Sequence, residues 1–395
     1  MTWRHSLTDS LTSRSLSSSN KIARNKGMRD MNRFLSSAAV IALSSSAAMA
    51  GGIDRSGQGL GALFEKGRYL ELSFGYVQPD VSGNDVAAFG GGPSGDVAAD
   101  YAQLGLSYKY DINEKLSFAL NVDQPFGADV LYDTTSVALG NTTAVANATA
   151  VTGIMRYKFS DAVSVHGGLR AQKADAFIRL QGAAYGPLSG YEVNLSSDTA
   201  LGYVVGVAYE KPEIALRVAL TYNSAIEHEF ETTENISAAV TTTTTKTPRS
   251  VNLDFQTGVA AGTLVFGQIR WVDWTQMVLT PATFGAATGG ASLINLEDTI
   301  TYTLGVGRKF SDTWSGAFSL TYENSTGPLV SPLAPTDGRF GATLAGIYTR
   351  ENMKITAGIN YTMLGDADPA TAGAARANFS GNTALGIGVK VGFSF

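Results

Sequence analysis

From Leu385 to the last residue the chain sets an apolar side chain at every second position: Leu385, Ile387, Val389, Val391, Phe393 and Phe395. Gly386, Gly388, Lys390, Gly392 and Ser394 lie between them. Period two is the geometry of a strand, because successive Cβ atoms point to opposite faces. One such strand fits two architectures. In a soluble sandwich the apolar face meets a second sheet, and in an outer-membrane barrel it meets lipid. The same pattern recurs in fourteen segments, at 69–79, 101–110, 116–131, 148–159, 163–180, 191–209, 214–231, 249–260, 263–279, 298–310, 314–325, 338–349, 353–364 and 382–395. Leu216, Val218, Leu220 and Tyr222 oppose Arg217, Thr221 and Asn223. Trp314, Phe318, Leu320 and Tyr322 oppose Ser315, Ser319, Thr321 and Glu323. Charges therefore fall mostly on the face away from the apolar one. Lipid imposes this, since Lys or Arg at the bilayer midplane costs about 2–4 kcal/mol.

The connections separate the two architectures. Six short ones, at 111–115, 160–162, 210–213, 261–262, 311–313 and 350–352, alternate with long ones at 80–100, 132–147, 181–190, 232–248, 280–297, 326–337 and 365–381. A transmembrane barrel has short turns at its periplasmic end and long loops outside, so loop length follows parity. A sandwich has no reason to sort its loops this way. The expectation is an all-β chain, a fourteen-stranded antiparallel outer-membrane barrel over residues 69–395. Closure removes the sheet edges, which hydrocarbon would leave without hydrogen-bond partners. Tyr108, Tyr110, Tyr157, Phe159, Tyr209, Phe310 and Trp314 sit at strand ends, as an interfacial aromatic girdle would. The run Thr241–Thr245 is expected to be a solvated loop tip.

Residues 1–50 read as an export segment. Arg4, Arg14, Lys21, Arg24, Lys26, Arg29 and Arg33 precede a small apolar stretch from Phe34 to Ala48, and Ala48-Met49-Ala50 fits a signal cleavage site. Cleavage is expected after Ala50, and the basic part, long for such a signal, points to Met28 or Met31 as the alternative translation start. Its removal leaves 22 Lys and Arg against 32 Asp and Glu, a net charge of about −10. So acidic an exported chain is no nucleic-acid binder, since such binding neutralises phosphates with clustered cations. No cysteine is present, so no disulfide or thiolate chemistry is available.

Catalysis finds little support. The chain has three histidines, of which His5 is in the export segment. His166 is placed by alternation on the inner face with Ser164, away from the outer wall where an outer-membrane lipase would need its Ser–His pair. No metal-ligand cluster or cofactor motif is seen. Gly57-x-Gly59-x-Gly61 is no dinucleotide fingerprint, because no strand precedes it and no βαβ unit surrounds it.

Several stretches carry a resemblance. Ile53-Asp54-Arg55-Ser56-Gly57, followed by Gly59 and Gly61, resembles the N-terminal hatch of the FadL/TodX family of outer-membrane transporters for long-chain fatty acids and other hydrophobic compounds. Tyr69–Asp80 is similar to the family's first strand with its Pro-Asp exit. Leu116–Tyr132, containing Gln124-Pro125-Phe126-Gly127, is similar to its third strand with an internal break. Pro248-Arg249-Ser250 and Gly267–Trp274 resemble its middle segment. The chain departs from the family in having about eighteen residues, 51–68, before the first strand, without the family's Asn-Pro-Ala segment.

The resemblance implies that ligand is caught among the external loops, held in a lumen pocket under the hatch, and released sideways where the third strand kinks. At Gln124–Gly127 a bulge or an early strand end competes with the kink on residue grounds, although alternation resumes at Val130. Arg156, Arg170, Arg179, Arg217 and Arg270 are the candidate lumen cations for a carboxylate. Arg179, in Ile178-Arg179-Leu180-Gln181-Gly182, resembles the family's head-group arginine. Ordinary ion pairing inside the lumen is the competing role, with Glu71, Asp123, Asp254 and Glu323 as partners. The expected surroundings are outer-membrane lipid and lipopolysaccharide in a Gram-negative cell, with the barrel assembly machinery reading the terminal Phe395. Aromatic hydrocarbon uptake, a general porin and an adhesive barrel are the alternative functions.

Overall fold

The computed structural model describes residues 53–395. The export segment, its cleavage point after Ala50 and the first hatch positions, Gly51 and Gly52, lie outside the described residues. Fourteen antiparallel strands follow: β1 (Tyr69–Asp80), β2 (Tyr101–Asp111), β3 in two pieces (Leu116–Asp123 and Gly127–Leu131), β4 (Thr143–Lys158), β5 (Val163–Leu180) and β6 (Tyr191–Lys211). Then come β7 in two pieces (Leu216–Asn223 and Ile226–Glu234), β8 in two pieces (Val240–Thr247 and Ser250–Ala260), β9 (Thr263–Val272), β10 (Thr299–Lys309), β11 (Trp314–Glu323), β12 (Arg339–Arg350), β13 (Met353–Leu364) and β14 (Thr383–Ser394). Each strand pairs with the next, and β1 pairs with β14 from Tyr69↔Ser394 to Asp80↔Thr383, which closes the barrel.

Alternation sorts side chains between two apolar or polar surroundings. Leu104, Leu169, Leu201, Leu304, Leu344 and Ile387 point outward and are exposed. Thr152, Asn223, Asn252, Thr321, Thr356 and Lys390 point inward and are buried. At the short-turn end the outward aromatics pair up, Tyr157 with Phe159 and Trp314 with Tyr348, each pair with ring centroids 5.1 Å apart. At the other end the loops pack together. Val81, Val97, Tyr132, Leu139 and Phe379 are all buried there, and the Tyr132 hydroxyl donates to the Pro332 carbonyl at 2.9 Å.

Three boundaries differ from the sequence reading. The Thr241–Thr245 run is not a loop tip. It lies in the upper piece of β8, paired with β7 from Ile226↔Thr247 to Thr233↔Val240, with Thr243 and Thr245 buried. Threonine is β-branched and suits a pleated surface whatever its polarity. The connection between the two strand pieces is only residues 235–239, the tip of their hairpin. Strand β4 starts at Thr143 instead of 148, in step with the long β5 beside it. Strand β9 ends at Val272, and the chain turns through a 3-10 turn (Trp274–Gln276) into helix α1 (Ala282–Thr288).

Candidate functional site

The wall is interrupted in the third strand. Asp123 pairs with Ala150 of β4 and Gly127 with Asn147. Four steps along β3 therefore answer three along β4, so one residue is extra. Pro125 has no N–H for the ladder, and the chain buckles inward over Gln124, Pro125 and Phe126. The consequence appears on the other side of β3. The β2–β3 ladder stops at Leu106↔Val122, and pairing returns only at the single bridge Ala98↔Val130. Across this seam the Gln124 side-chain carbonyl accepts from the Leu104 amide at 3.0 Å, in place of the strand it displaced. Leu104 itself faces outward, 64% exposed.

The buckled segment pairs with the chain's first described residues. The Arg55 amide donates to the Pro125 carbonyl at 2.8 Å, and the Gly127 amide to the Ile53 carbonyl at 3.0 Å. The Arg55 guanidinium lies 4.3 Å from the centroid of the Tyr101 ring, at the seam. A Cβ on Gly127 would come within 2.5 Å of that guanidinium, so any larger residue here would displace the Arg55 head from its place. The same segment is tied across the lumen. Arg270 donates to both oxygens of Asp54, at 2.7 and 3.1 Å, and to Asn252 at 2.8 Å. Gln58 accepts from Ser250 at 2.8 Å, the Gly57 carbonyl accepts from Asn252 at 2.9 Å, and Ser56 donates to Asp123 at 2.5 Å.

Above this crossing lies an apolar cavity of about 90 Å³. Ile53, Phe126, Gly127 and Ala128 line one side, and Leu195 and Phe230 the other. Ala144, Ala146, Ala148, Ala174, Ala176 and Ile178 form the floor of small side chains between them, and Met277, Leu279, Ile294 and Leu333 reach in from the loops. Trp274 is fully buried against Phe126, edge to face at 5.5 Å. Among the described residues, no Lys or Arg lines this cavity. A second, mixed cavity of about 160 Å³ opens at the seam, lined by Ser56, Gln58, Asp123, Gln124 and Arg170 on one side and by Leu104 and Phe74 on the other.

Below the crossing the lumen is filled with charge. A 3-10 turn at Gly61–Phe64 drops Leu63 onto Ala119, Ile154 and Val204. Phe64 stands between the guanidinium groups of Arg156 and Arg217, each 4.6 Å from its ring centroid. Arg156 also pairs with Glu210, and Ser164 accepts from it at 3.0 Å. Glu65 meets Lys354 and Glu71 meets Lys390, both at 3.5 Å, while Lys109 and Asp111 are 2.5 Å apart. His166 faces inward, within 3.0 Å of the Thr221 hydroxyl, as its alternation required.

The arginines named from the sequence thus fall in different places. Arg156 and Arg217 belong to the lower charge cluster. Arg170, bonded to Thr152 at 2.9 Å, sits at the edge of the mixed cavity. Arg179 is at the loop end, paired with Glu192 at 2.7 Å and partly exposed. Arg270 holds the N-terminal segment. Leu195, Phe230, Met277, Leu279, Ile294 and Leu333 were not picked out from the sequence. Leu195, Phe230, Met277 and Leu279 fall within segments whose pattern fits a wall strand, and Ile294 and Leu333 within long connections, so nothing in the sequence sets them apart.

The family described as outer membrane protein transport protein (OMPP1/FadL/TodX) matches this sequence over residues 30–395. Among solved structures, a FadL homologue of Pseudomonas aeruginosa aligns at 14% identity with a TM-score of 0.66, covering 85% of this chain and 92% of its own. The toluene transporter TbuX of Ralstonia pickettii aligns at 14% identity and TM-score 0.59, covering 84% and 90%. The toluene transporter TodX of Pseudomonas putida aligns at 12% identity and TM-score 0.59, covering 89% and 94%. At these identities the structures establish the shared fold. No curated protein sequence matches the chain.

Proposed function

The chain belongs to the OMPP1/FadL/TodX family of outer-membrane transport proteins, and on that premise we propose that it releases its hydrophobic cargo sideways, between β2 and β3. As a member it is an outer-membrane barrel that carries hydrophobic compounds, and it is not an enzyme. In the proposed route the cargo gathers among the outer loops, settles in the apolar cavity beside Phe126, and leaves past Gln124 and Leu104 into the bilayer. Residues 53–65 act as the hatch, and their hydrogen bonds to Pro125 and Gly127 couple it to the exit.

The energetics favour this direction. Each methylene gains about 0.8 kcal/mol by leaving water. A sideways step keeps that gain, because the next medium is hydrocarbon. A downward step would forfeit it among Arg156, Arg217, Lys354 and Lys390 and would separate their ion pairs. The observation that carries the reading is the extra residue in β3, which ends the β2–β3 ladder beside the mixed cavity and turns Phe126 and Gly127 into the lining of the apolar one.

The lining favours an uncharged cargo of modest size, such as an aromatic hydrocarbon. No cation among the described residues faces the cavity, and its roughly 90 Å³ is less than the ~150 Å³ that an apolar cavity offers to benzene, so even a ring needs the lining to relax. A long-chain fatty acid is the second reading. Arg170, at the edge of the mixed cavity, is then the carboxylate's partner. The terminal Phe395, 72% exposed, remains free for the assembly machinery to read.

Deleting Pro125 removes the extra residue and lets β3 run in one register along β4. In cells depending on this protein, uptake of toluene and of oleate is expected to fall at least tenfold, with folded barrel still present by heat-modifiable gel migration. Undiminished uptake of both by the folded variant would refute lateral release.

A further inference from the structure

The wall has a second seam, on the opposite side of the apolar cavity. Strands β6 and β7 pair from Lys211↔Leu216 up to Val204↔Asn223. They pair again from Leu195↔Thr232 to Val193↔Glu234. No pair forms between residues 196–202 and 225–231, although the register is the same above and below. The cause lies in the pleats. In β6, Gly202 and Val204 are buried while Leu201 and Tyr203 are exposed; above Ser196-Ser197 the odd-numbered Leu195 and Val193 are buried. In β5 opposite, Ala174 pairs with Asp198 and Ala176 with Leu195, so two steps answer three. In β7 the flip occurs lower, at Ser224-Ala225, after which Ile226, His228 and Phe230 face in and Glu227, Glu229 and Glu231 face out. Between the two flips the strands are out of phase by one residue. A one-residue slip turns every side chain to the other face, so a ladder cannot form there.

Side chains bridge the seam instead. The Asp198 carboxylate meets His228 Nδ1 at 2.8 Å, the Tyr203 amide donates to the Ser224 hydroxyl at 2.8 Å, and Ile226 lies over Gly202. A Cβ at position 202 would come within 2.6 Å of Ile226 and 2.8 Å of the Ser224 hydroxyl, so the space over Gly202 is already filled by these two side chains. Leu195 and Phe230, at the seam's upper end, line the apolar cavity on the side facing away from Phe126. Outside, Leu201 is 71% exposed and continues the lipid-facing row of Tyr203, Val205 and Val207.

From these observations we infer that the β6–β7 seam is a second lateral port, joining the same cavity to the outer margin of the bilayer, where Leu201 meets lipid and Glu227, Glu229 and Glu231 meet water, for uncharged hydrophobic molecules. Its outer rim selects against anions. Glu227, Glu229 and Glu231 are exposed in a row beside Asp198, and Lys246 answers Glu227 at 3.0 Å. A carboxylate would meet like charge there, whereas a neutral ring would not. The inference rests on the transport reading above, since it needs the cavity to hold cargo.

The chain's lack of cysteine permits a direct test in whole cells. Thr199→Cys with Glu227→Cys places two exposed thiols across the β6–β7 seam, and Leu104→Cys with Gln124→Cys spans the β2–β3 seam. Each pair is joined by a short thiol cross-linker in the folded protein, and the same variant before cross-linking is its control. Uptake of naphthalene is expected to fall by roughly half when either seam is tied and to background when both are. Uptake of oleate is expected to fall only when the β2–β3 seam is tied. If tying β2–β3 alone takes naphthalene uptake to background and tying β6–β7 changes nothing, the second port is refuted and the first stands. If tying both leaves uptake intact, lateral release itself is refuted along with it.

Discussion

The two halves of the lumen are built on opposite rules. In the lower half the interior is charged and the ladders are disturbed only by a bulge at Val259 beside a turn, while β1 on β14 and β12 on β13 keep twelve pairs each along their whole length. In the upper half β3, β7 and β8 are each broken, β6 is bulged, and the interior they enclose is apolar. An uninterrupted ladder satisfies its backbone without help, so its inner face is free to carry ion pairs. A broken ladder needs side chains such as Gln124 and Asp198 to cover the exposed amides, because each unpaired polar group in hydrocarbon costs several kcal/mol. On the proposed route, the lower half holds the barrel together and the upper half holds and releases cargo. Residues 53–65 cross from one to the other.

The sharpest way to break that division is at the tie between hatch and wall. Arg270→Met leaves Asp54 and Gln58 buried without their cation, which costs about 3–5 kcal/mol for such a pair. Hydrogen exchange across residues 53–65 is expected to accelerate at least roughly hundredfold, with β12 and β13 unchanged. Next comes Phe64→Ala, which removes the ring between Arg156 and Arg217 and is expected to cost about 2–3 kcal/mol. Guanidinium unfolding checks the stability, and liposome swelling in arabinose is expected to speed up as the lower lumen loses its stopper.

A smaller effect separates the seam from the ordinary wall. Gly202→Val drives a side chain into Ile226 and is expected to cost about 1–3 kcal/mol by overpacking. Gly346→Val, in β12 where a Cβ would meet nothing within 4 Å, is expected to stay within about 0.5 kcal/mol. Equal thermal shifts in the two variants would erase the distinction. Smallest of all is Glu227→Gln at the exposed pair with Lys246, expected to change stability by less than about 1 kcal/mol.

The barrel was legible because lipid and lumen impose opposite chemistry on alternate residues, as Leu385 to Phe395 show. The breaks were legible only where they carry a signature. Pro125 marked the first. Nothing marked Ser196-Ser197 or Ser224-Ala225, and the reason is physical. Leu201, Tyr203 and Val205 face lipid, and Leu195 and Val193, also odd-numbered, are buried on the inner side. Both surroundings are apolar, so the flip leaves the hydrophobic pattern unbroken. Phe118 and Leu120 against Phe126 and Val130 hide the flip in β3 in the same way. The grip of Arg270 on Asp54 was beyond reach for another reason: 216 positions separate them, and only closure of the barrel brings them together. The five arginines read as one group of cations were sorted by height in the lumen, which alternation does not encode.

The route itself is open to direct labelling. A diazirine analogue of toluene, bound to the folded protein in outer-membrane vesicles and photolysed, should mark Phe126 and Leu104, with unlabelled toluene competing the adducts away. Competed adducts on Phe64 and Leu63 instead would put the cargo on a path straight down the barrel, and the sideways account would be wrong.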